Sequence, residues 1–94
     1  MAKYMVAWDL PPEHRNEAVG RFMEGSAMET PDGLTLIGRW HGVGGVIGWC
    51  VVETDDPKHL ADWLLVWTDL FTYDVTPVLA DEDFGELFQK HGLG

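Results

Sequence analysis

The fold is decided by residues 34–57, which read LTLIGRWHGVGGVIGWCVVETDDP. Two segments in it, Leu34 to His41 and Val46 to Glu53, are rich in the aliphatic and aromatic residues that are typical of strands. The glycines between them predict a hairpin, which makes the two strands antiparallel neighbours. Asp55-Asp56-Pro57 then predicts a helix start, because aspartate caps helix N-termini and proline is tolerated in the first turn.

The segment before the hairpin predicts a strand followed by a helix. Lys3 to Asp9 is the strand, and it is apolar at every position from Tyr4 to Trp8, which indicates burial of both faces. Pro11-Pro12 ends the strand and opens the helix. Gly25-Ser26 marks the end of that helix. Its apolar stripe is formed by Ala18, Val19, Phe22 and Met23.

The segment after the hairpin predicts a second helix, a fourth strand and a last helix. Tyr73 to Ala80 is the strand, and Pro77 within it predicts an edge position, because proline cannot donate to a sheet ladder. Asp81 can cap the last helix, and Gly92 ends it. The apolar face of the second helix carries Leu60, Leu64, Trp67 and Phe71, and that of the last helix carries Phe84, Leu87, Phe88 and His91.

The predicted order is β-α-β-β-α-β with an added C-terminal helix, in a single domain of residues 1–94. This is the ferredoxin-like α+β arrangement, a four-stranded antiparallel sheet with both crossover helices on one face. The other face would be open, although the first and third strands are apolar on both faces. We expect the last helix to cover part of that face, or a second protomer to cover all of it in a homodimer.

Composition and charge exclude several classes of partner. The chain has 16 acidic and 6 basic residues, and its formal net charge is −10. The basic residues are scattered, so we expect neither a nucleic acid nor an anionic membrane surface as a partner. Cys50 is the only cysteine, so no intrachain disulfide can form. The apolar runs are too short to cross a membrane and the first residues do not resemble a signal peptide, so we expect a cytoplasmic protein.

The tripeptide Arg39-Trp40-His41 is the first candidate for a functional site. Strand alternation puts Arg39 and His41 on one face, together with Thr35 and Ile37. The planar fork of an arginine can hold a carboxylate, and a histidine can transfer a proton, so these two residues are candidate catalytic and ligand-binding residues. The alternative is structural: Arg39 pairs with a carboxylate and stacks on a tryptophan, and His41 lies at the mouth of the hairpin.

The hairpin register decides which residues join them. A four-residue loop puts His41 opposite Val46 and Arg39 opposite Gly48, with Cys50 and Val52 on the same face. A loop that is one residue longer or shorter brings Trp49 and Glu53 to that face instead. The candidate ligand-binding set is therefore Arg39, His41, Trp8, Trp49 and Glu53.

Other residues have weaker functional signals. Cys50 lies among apolar neighbours and is expected to be a buried structural thiol. Trp63 and Trp67, four residues apart on one helix, can wall a pocket for a flat ligand, although core packing explains most of the five tryptophans equally well. The histidines lie on different elements without metal-ligand spacing, and no nucleotide-binding glycine motif is present, so we expect no metal and no cofactor.

The chain resembles an uncharacterised bacterial family that is known only as a domain of unknown function. The resemblance is carried by Gly38-Arg39-Trp40-His41, by Gly48-Trp49-Cys50-Val51-Val52-Glu53, and by Asp55-Asp56-Pro57 with the tryptophan-bearing helix. It implies a dimeric α/β barrel, similar to small monooxygenases, isomerases and stress-response proteins. It implies no activity, because fold alone does not determine chemistry.

Three functional hypotheses follow from these residues. The first is a homodimeric binding domain that holds a small organic ligand near Arg39 and His41, in a cavity on the open face of the sheet. The second is a cofactor-independent monooxygenase or isomerase for a small aromatic or carbonyl compound, with His41 as acid and base and Arg39 stabilising an anion. The third is a structural or regulatory dimer with no ligand.

Overall fold

The computed structural model describes residues 1–25 and 29–93, and these residues confirm the predicted α+β class with four antiparallel strands and three α-helices. The elements are β1 (Ala2–Asp9), a 3₁₀ turn (Pro12–His14), α1 (Arg15–Met23), β2 (Leu34–His41), β3 (Ile47–Thr54), α2 (Pro57–Leu64), β4 (Thr72–Val78) and α3 (Asp81–Lys90). Only β2 has the predicted bounds at both ends. Ser26, which we predicted to help end the first helix, lies outside the described residues.

The four strands form one sheet in the order β2-β3-β1-β4, and every neighbouring pair is antiparallel. The two strands with apolar residues on both faces, β1 and β3, are the central ones. β4 is an edge strand, as Pro77 predicted. The chain therefore places its most apolar strands where neighbours cover both of their edges.

The sequence leaves the hairpin register open between two alternatives, and the structure places Cys50 and Val52 on the face of Arg39 and His41, as the four-residue loop predicts. His41 lies opposite Gly48, and Arg39 lies opposite Cys50. The Gly42 N–H donates to the Ile47 carbonyl at 2.8 Å, so the loop beyond this bond is Val43–Val46, one residue further along the chain than Gly42–Gly45. The partners that a Gly42–Gly45 loop gives His41 and Arg39 are therefore wrong by two residues, and a shift of two leaves each side chain on the same face.

A bulge in β2 corrects a second prediction. The register shifts between Leu36 and Gly38, so that Ile37 is the extra residue. Because the bulge breaks the alternation, Thr35 lies opposite Glu53 and on the other face from Arg39 and His41. Our prediction that Thr35 shares their face was wrong.

Both crossover helices pack on one face of the sheet. The main core joins β1, β2, β3 and α2 through seven buried residues: Val6, Leu34, Cys50, Val52, Leu60, Trp63 and Leu64. A smaller cluster of Leu10, Ala18 and Leu70 attaches α1. Burial of these apolar side chains is the main contribution to folding.

The second helix is shorter than its apolar stripe predicted. Regular α-helix ends at Leu64, and the backbone continues through tight turns in which Trp67 donates to the Leu64 carbonyl and Leu70 to the Trp67 carbonyl, each at 2.9 Å. These turns still bury Trp67 and Leu70. The stripe therefore predicted burial correctly but not the conformation of its last residues.

The last helix does not pack on its own domain. None of its residues is buried, and Phe84, Leu87 and Phe88 are 40–46% exposed. The radius of gyration is 15.7 Å, whereas a compact chain of this length has about 12 Å. In the single chain α3 thus leaves the open face of the sheet uncovered, contrary to one of our two expectations. No helix in the described part of the chain is both long and apolar enough to cross a bilayer.

The helix starts were predicted with mixed success. The Asp56 carboxylate caps α2 by accepting a hydrogen bond from the Lys58 N–H at 3.0 Å, as predicted. Asp81 is not the cap of α3 but its first residue. The cap position is Ala80, whose N–H donates to the Asp83 carboxylate at 3.4 Å.

We predict that Thr54→Val destabilises the fold by about 1–3 kcal/mol, because a buried polar group that loses its partner keeps its desolvation cost. Thr54 is fully buried, and its hydroxyl lies 2.8 Å from the Gly33 carbonyl, 3.0 Å from the Asp56 carbonyl and 3.2 Å from the Asp56 N–H. Valine has the same shape without these bonds. Urea denaturation measures the effect, with Thr35→Val on the exposed side of β2 as the control. Equal midpoints for the two variants would contradict the prediction.

Candidate functional site

A cavity of about 140 Å³ lies between the sheet and the two crossover helices. The residues that line it are largely aromatic, and they lie on the strands, on both crossover helices and in the turns after α2. The aromatic lining residues are Trp8, Phe22, Trp63, Trp67, Phe71 and Tyr73. Arg39, His41 and Cys50 contribute the charged and polar surface. The result is an apolar site with a few polar groups, which is the usual composition of a small-molecule site.

Phe22 of α1 packs against two polar side chains of β2, those of Arg39 and His41. The Arg39 guanidinium lies over the Phe22 ring, 5.2 Å from its centre. The His41 ring meets Phe22 edge-on at 5.8 Å and Trp8 edge-on at 5.7 Å. Arg39 therefore stacks on a phenylalanine, and not on a tryptophan as our structural alternative had it.

The polar groups of the cavity have no partners among the described residues. Neither Arg39, His41 nor Tyr73 makes a side-chain hydrogen bond or an ion pair there. Trp63 is 6% exposed, and its buried Nε1 has no acceptor within residues 1–25 and 29–93. Buried donors normally have acceptors, so the Trp63 Nε1 has unused hydrogen-bonding capacity, whereas Arg39 is half-buried and His41 is exposed to water.

Cys50 is an inert thiol in the floor of the cavity. It is 2% exposed, and burial raises its pKa to about 11, although the nearby Arg39 guanidinium opposes the shift. Burial also raises the pKa of Tyr73. Both groups are consequently neutral at physiological pH, so that Cys50 is a poor nucleophile and Tyr73 remains a hydrogen-bond donor.

An ion pair ties α1 to the segment that follows α2. Arg21 makes two bonds to the Asp69 carboxylate, at 2.8 and 2.9 Å, and a third to the Val66 carbonyl at 2.6 Å. Its guanidinium also lies 5.7 Å from the centre of the Trp67 ring. The hydrogen bond from Arg21 lowers the pKa of Asp69. This pair fixes the distance between two walls of the cavity.

Three of the five predicted ligand-binding residues meet in this cavity. Trp8, Arg39 and His41 line it, but Trp49 and Glu53 lie on the opposite face of the sheet. Glu53 faces Lys3, with their charged atoms 3.9 Å apart. The observed register is the reason, because it pairs Arg39 with Cys50 and turns the odd-numbered neighbours of Cys50 away. The cavity is therefore on the face covered by helices and not, as predicted, on the open face.

The indole ring of Trp8 occupies the space next to Gly48 where another residue would carry its side chain. A Cβ at position 48 would lie 2.1 Å from the Trp8 ring, so the indole rests directly on the glycine. The space that the glycine leaves is therefore taken by Trp8 and not by a ligand or by the Arg39 side chain. In this position Trp8 forms one wall of the cavity.

Sequence reasoning missed Phe22, Phe71 and Tyr73 as site residues. Phe22 had been placed on the apolar stripe of its helix, and Phe71 on that of the second helix, so each was interpreted as core. The signal that pointed correctly was the spacing of Trp63 and Trp67, which line the cavity as one of our two interpretations predicted.

We predict that alkaline pH destabilises the fold through Cys50. The folded-state pKa of about 11 lies above the ordinary 9.0, so the stability that protonated Cys50 contributes is complete below pH 9 and is lost as the pH rises towards 11. Tyr73 shifts in the same direction and adds to the loss at higher pH. Urea denaturation across this range measures the slope, and Cys50→Ala isolates the contribution of the thiol. A variant with an unchanged slope would contradict the prediction.

The chain was compared with known proteins to find its family. None of the curated proteins compared with the chain matches it. A family model described as a domain of unknown function, DUF3303, matches residues 2–92. This range contains the whole described sheet and every residue of the cavity. The chain therefore belongs to the DUF3303 family, in agreement with the resemblance to a family of unknown function.

Proposed function

We propose that the chain is a homodimeric binding domain for a small organic ligand, and that the ligand occupies the aromatic cavity between the sheet and the helices. One observation carries the proposal: the cavity collects donor side chains without partners among the described residues, inside walls that are otherwise apolar. A ligand with an acceptor group would satisfy both features.

The fold supports a ferredoxin-like protomer of a dimeric α/β barrel. The elements follow the order β-α-β-β-α-β before α3. In the strand order β2-β3-β1-β4, β3 lies between β2 and β1, and β1 lies between β3 and β4, as in a split β-α-β arrangement. In such a protomer one sheet face is left without helices. A second copy that packs on this face would complete the barrel.

The exposed apolar residues support the second copy as the partner. Trp40 and Trp49, which face each other across β2 and β3, are 58% and 41% exposed, and Met5 and Ile47 lie on the same face. The unpacked α3 exposes a second apolar surface at the other end of the chain. A single protomer leaves both surfaces in water, whereas a symmetric dimer can bury the sheet face of each copy at once.

The cavity favours binding over the two other hypotheses. A structural dimer with a filled interior would leave no reason for unpartnered donors around an empty volume. A histidine that acts as a general base is usually oriented by a third group such as a carboxylate, and no carboxylate lines the cavity in the described part of the chain. His41 is left as a donor at the mouth of the cavity. The cytoplasmic location stays a prediction.

We predict that a small neutral aromatic compound, toluene, shifts the indole N–H resonances of Trp8, Trp63 and Trp67 in a ¹⁵N-labelled sample. The resonances of Trp40 and Trp49 should stay in place, because these residues are on the other face of the sheet. They are an internal control. Val19 lies at the cavity and is exposed, so Val19→Phe should obstruct entry and abolish the shifts.

Met23→Phe is the matched control variant, because Met23 lies on the same helix, is exposed and is not part of the lining. It should bind toluene like the unmodified protein. Shifts of all five indoles, or of none, would contradict binding in this cavity.

We predict that the purified chain is a dimer in light scattering at micromolar concentration and that Trp49→Lys converts it to a monomer. A charge at this position would have to be buried in the interface without a partner. Leu65→Lys is the control, because Leu65 is exposed but lies after α2 and away from the open face. A monomeric unmodified protein would overturn the dimer.

A further inference from the structure

We propose that the ligand is a carboxylate on a single aromatic ring, with the ring between the aromatic walls and the carboxylate on Arg39. This inference rests on the proposed function, since it names the class of compound that would occupy the same cavity. Three properties of the cavity lead to it: its volume, its charge and the chemistry of its donors.

The volume selects a single ring. The cavity measures about 140 Å³. An apolar protein cavity of about 150 Å³ is known to bind benzene, whereas sites for drug-sized ligands occupy roughly 300–1,000 Å³. A nucleotide, a flavin or a fused polycyclic compound would therefore not fit without a rearrangement of the walls. A benzene ring with one small substituent that reaches towards Arg39 fits the space.

The charge selects an anion. The chain carries 16 acidic residues, yet within residues 1–25 and 29–93 none of them lines the cavity. Arg39 is the only arginine or lysine in the lining, and it forms no ion pair among the same residues. A half-buried guanidinium that faces aromatic rings has lost part of its hydration, and a ligand carboxylate would compensate for that loss through its two parallel hydrogen bonds.

The other polar groups support an acceptor on the ligand. Cys50 lies opposite Arg39 in the ladder and keeps its proton, so it does not supply the anion that Arg39 lacks. Tyr73 also keeps its proton and can donate, and His41 stands on the same strand as Arg39, two residues along. A cavity whose polar groups are mainly donors discriminates against cationic ligands and against ligands that only donate.

The long-range field of the protein acts in the opposite direction but is weaker at the site. A net charge of −10 repels anions, and salt screens that repulsion over a distance of about 8 Å at physiological ionic strength. The carboxylate on Arg39 would be in direct contact and partly shielded from water, where screening is small. The local interaction should therefore dominate in buffers with physiological salt.

Benzoate and benzamide form a pair of probes that test this inference, because they have nearly the same shape and differ in charge. Calorimetric titration of the unmodified protein should show benzoate binding at least about tenfold more tightly than benzamide, as expected for a charge-assisted bidentate contact. Acetate, which has the carboxylate without the ring, should not compete. Arg39→Met keeps the apolar stem and removes the charge, so it should lower the affinity for benzoate to about that for benzamide.

Two further variants test whether the preference for benzoate comes from a contact at position 39 and from the planar shape of the guanidinium. Arg15→Met removes an exposed arginine outside the cavity lining and should leave the preference intact. Arg39→Lys keeps the charge without the planar fork and should give an intermediate preference. The comparison of the two probes on the unmodified protein does not depend on any variant folding correctly.

The outcomes distinguish the inference from the function on which it rests. Equal affinity for benzoate and benzamide, with toluene still shifting the three cavity indoles, would overturn the aromatic carboxylate and leave the binding function standing. Failure of toluene, benzoate and benzamide alike to bind at millimolar concentration would overturn both. A preference for benzoate that survives in Arg39→Met would show that the carboxylate does not lie on Arg39.

Discussion

In the hairpin of β2 and β3, Arg39 lies opposite Cys50 and His41 opposite Gly48, and the whole site depends on this pairing. Side chains alternate between the two faces of a strand, so a register shifted by one residue would put Arg39 and His41 on the same face as Trp49. Either Arg39 and His41 would then turn towards the open face, or Trp49 would enter the core. Two features prevent the shift. Val6, Cys50 and Val52 must be buried against α2, and the bulge at Ile37 absorbs the extra residue of β2 before the site begins.

The cavity exists because large side chains hold its walls apart instead of filling the centre. Trp8 rests on Gly48, and so cannot move down onto the sheet. On the other side Arg21 binds Asp69 and the Val66 carbonyl and covers Trp67, which keeps α1 at a fixed distance from the turns after α2. Phe22 lies between these supports and contacts Arg39 and His41. The polar residues of the site are thus positioned by aromatic contacts, which impose orientation without using their hydrogen-bonding groups.

The sequence predicted the elements better than it predicted the site. The apolar runs and the turn residues between them predicted the four strands and their neighbours, since these signals are local. The edge position of β4 followed from Pro77 alone, because one missing N–H is enough to exclude a central strand. The face on which the cavity lies could not be predicted in the same way. It depends on the position of a glycine-rich loop and on one bulge, and both are set by packing between residues that are distant in sequence.

In this proposal one surface of the sheet binds the ligand and the other packs against a second copy, and β3 contributes residues to both. Gly48, Cys50 and Val52 face the cavity side, while Trp49 and Val51 face the surface where a second copy would pack. The two surfaces share no side chain, so a ligand need not displace any contact in the dimer. Any influence of one on the other must pass through the backbone of the sheet, and the two central strands, β1 and β3, are restrained by neighbours on both of their edges. The proposed dimer should therefore assemble independently of the ligand, with one site in each copy.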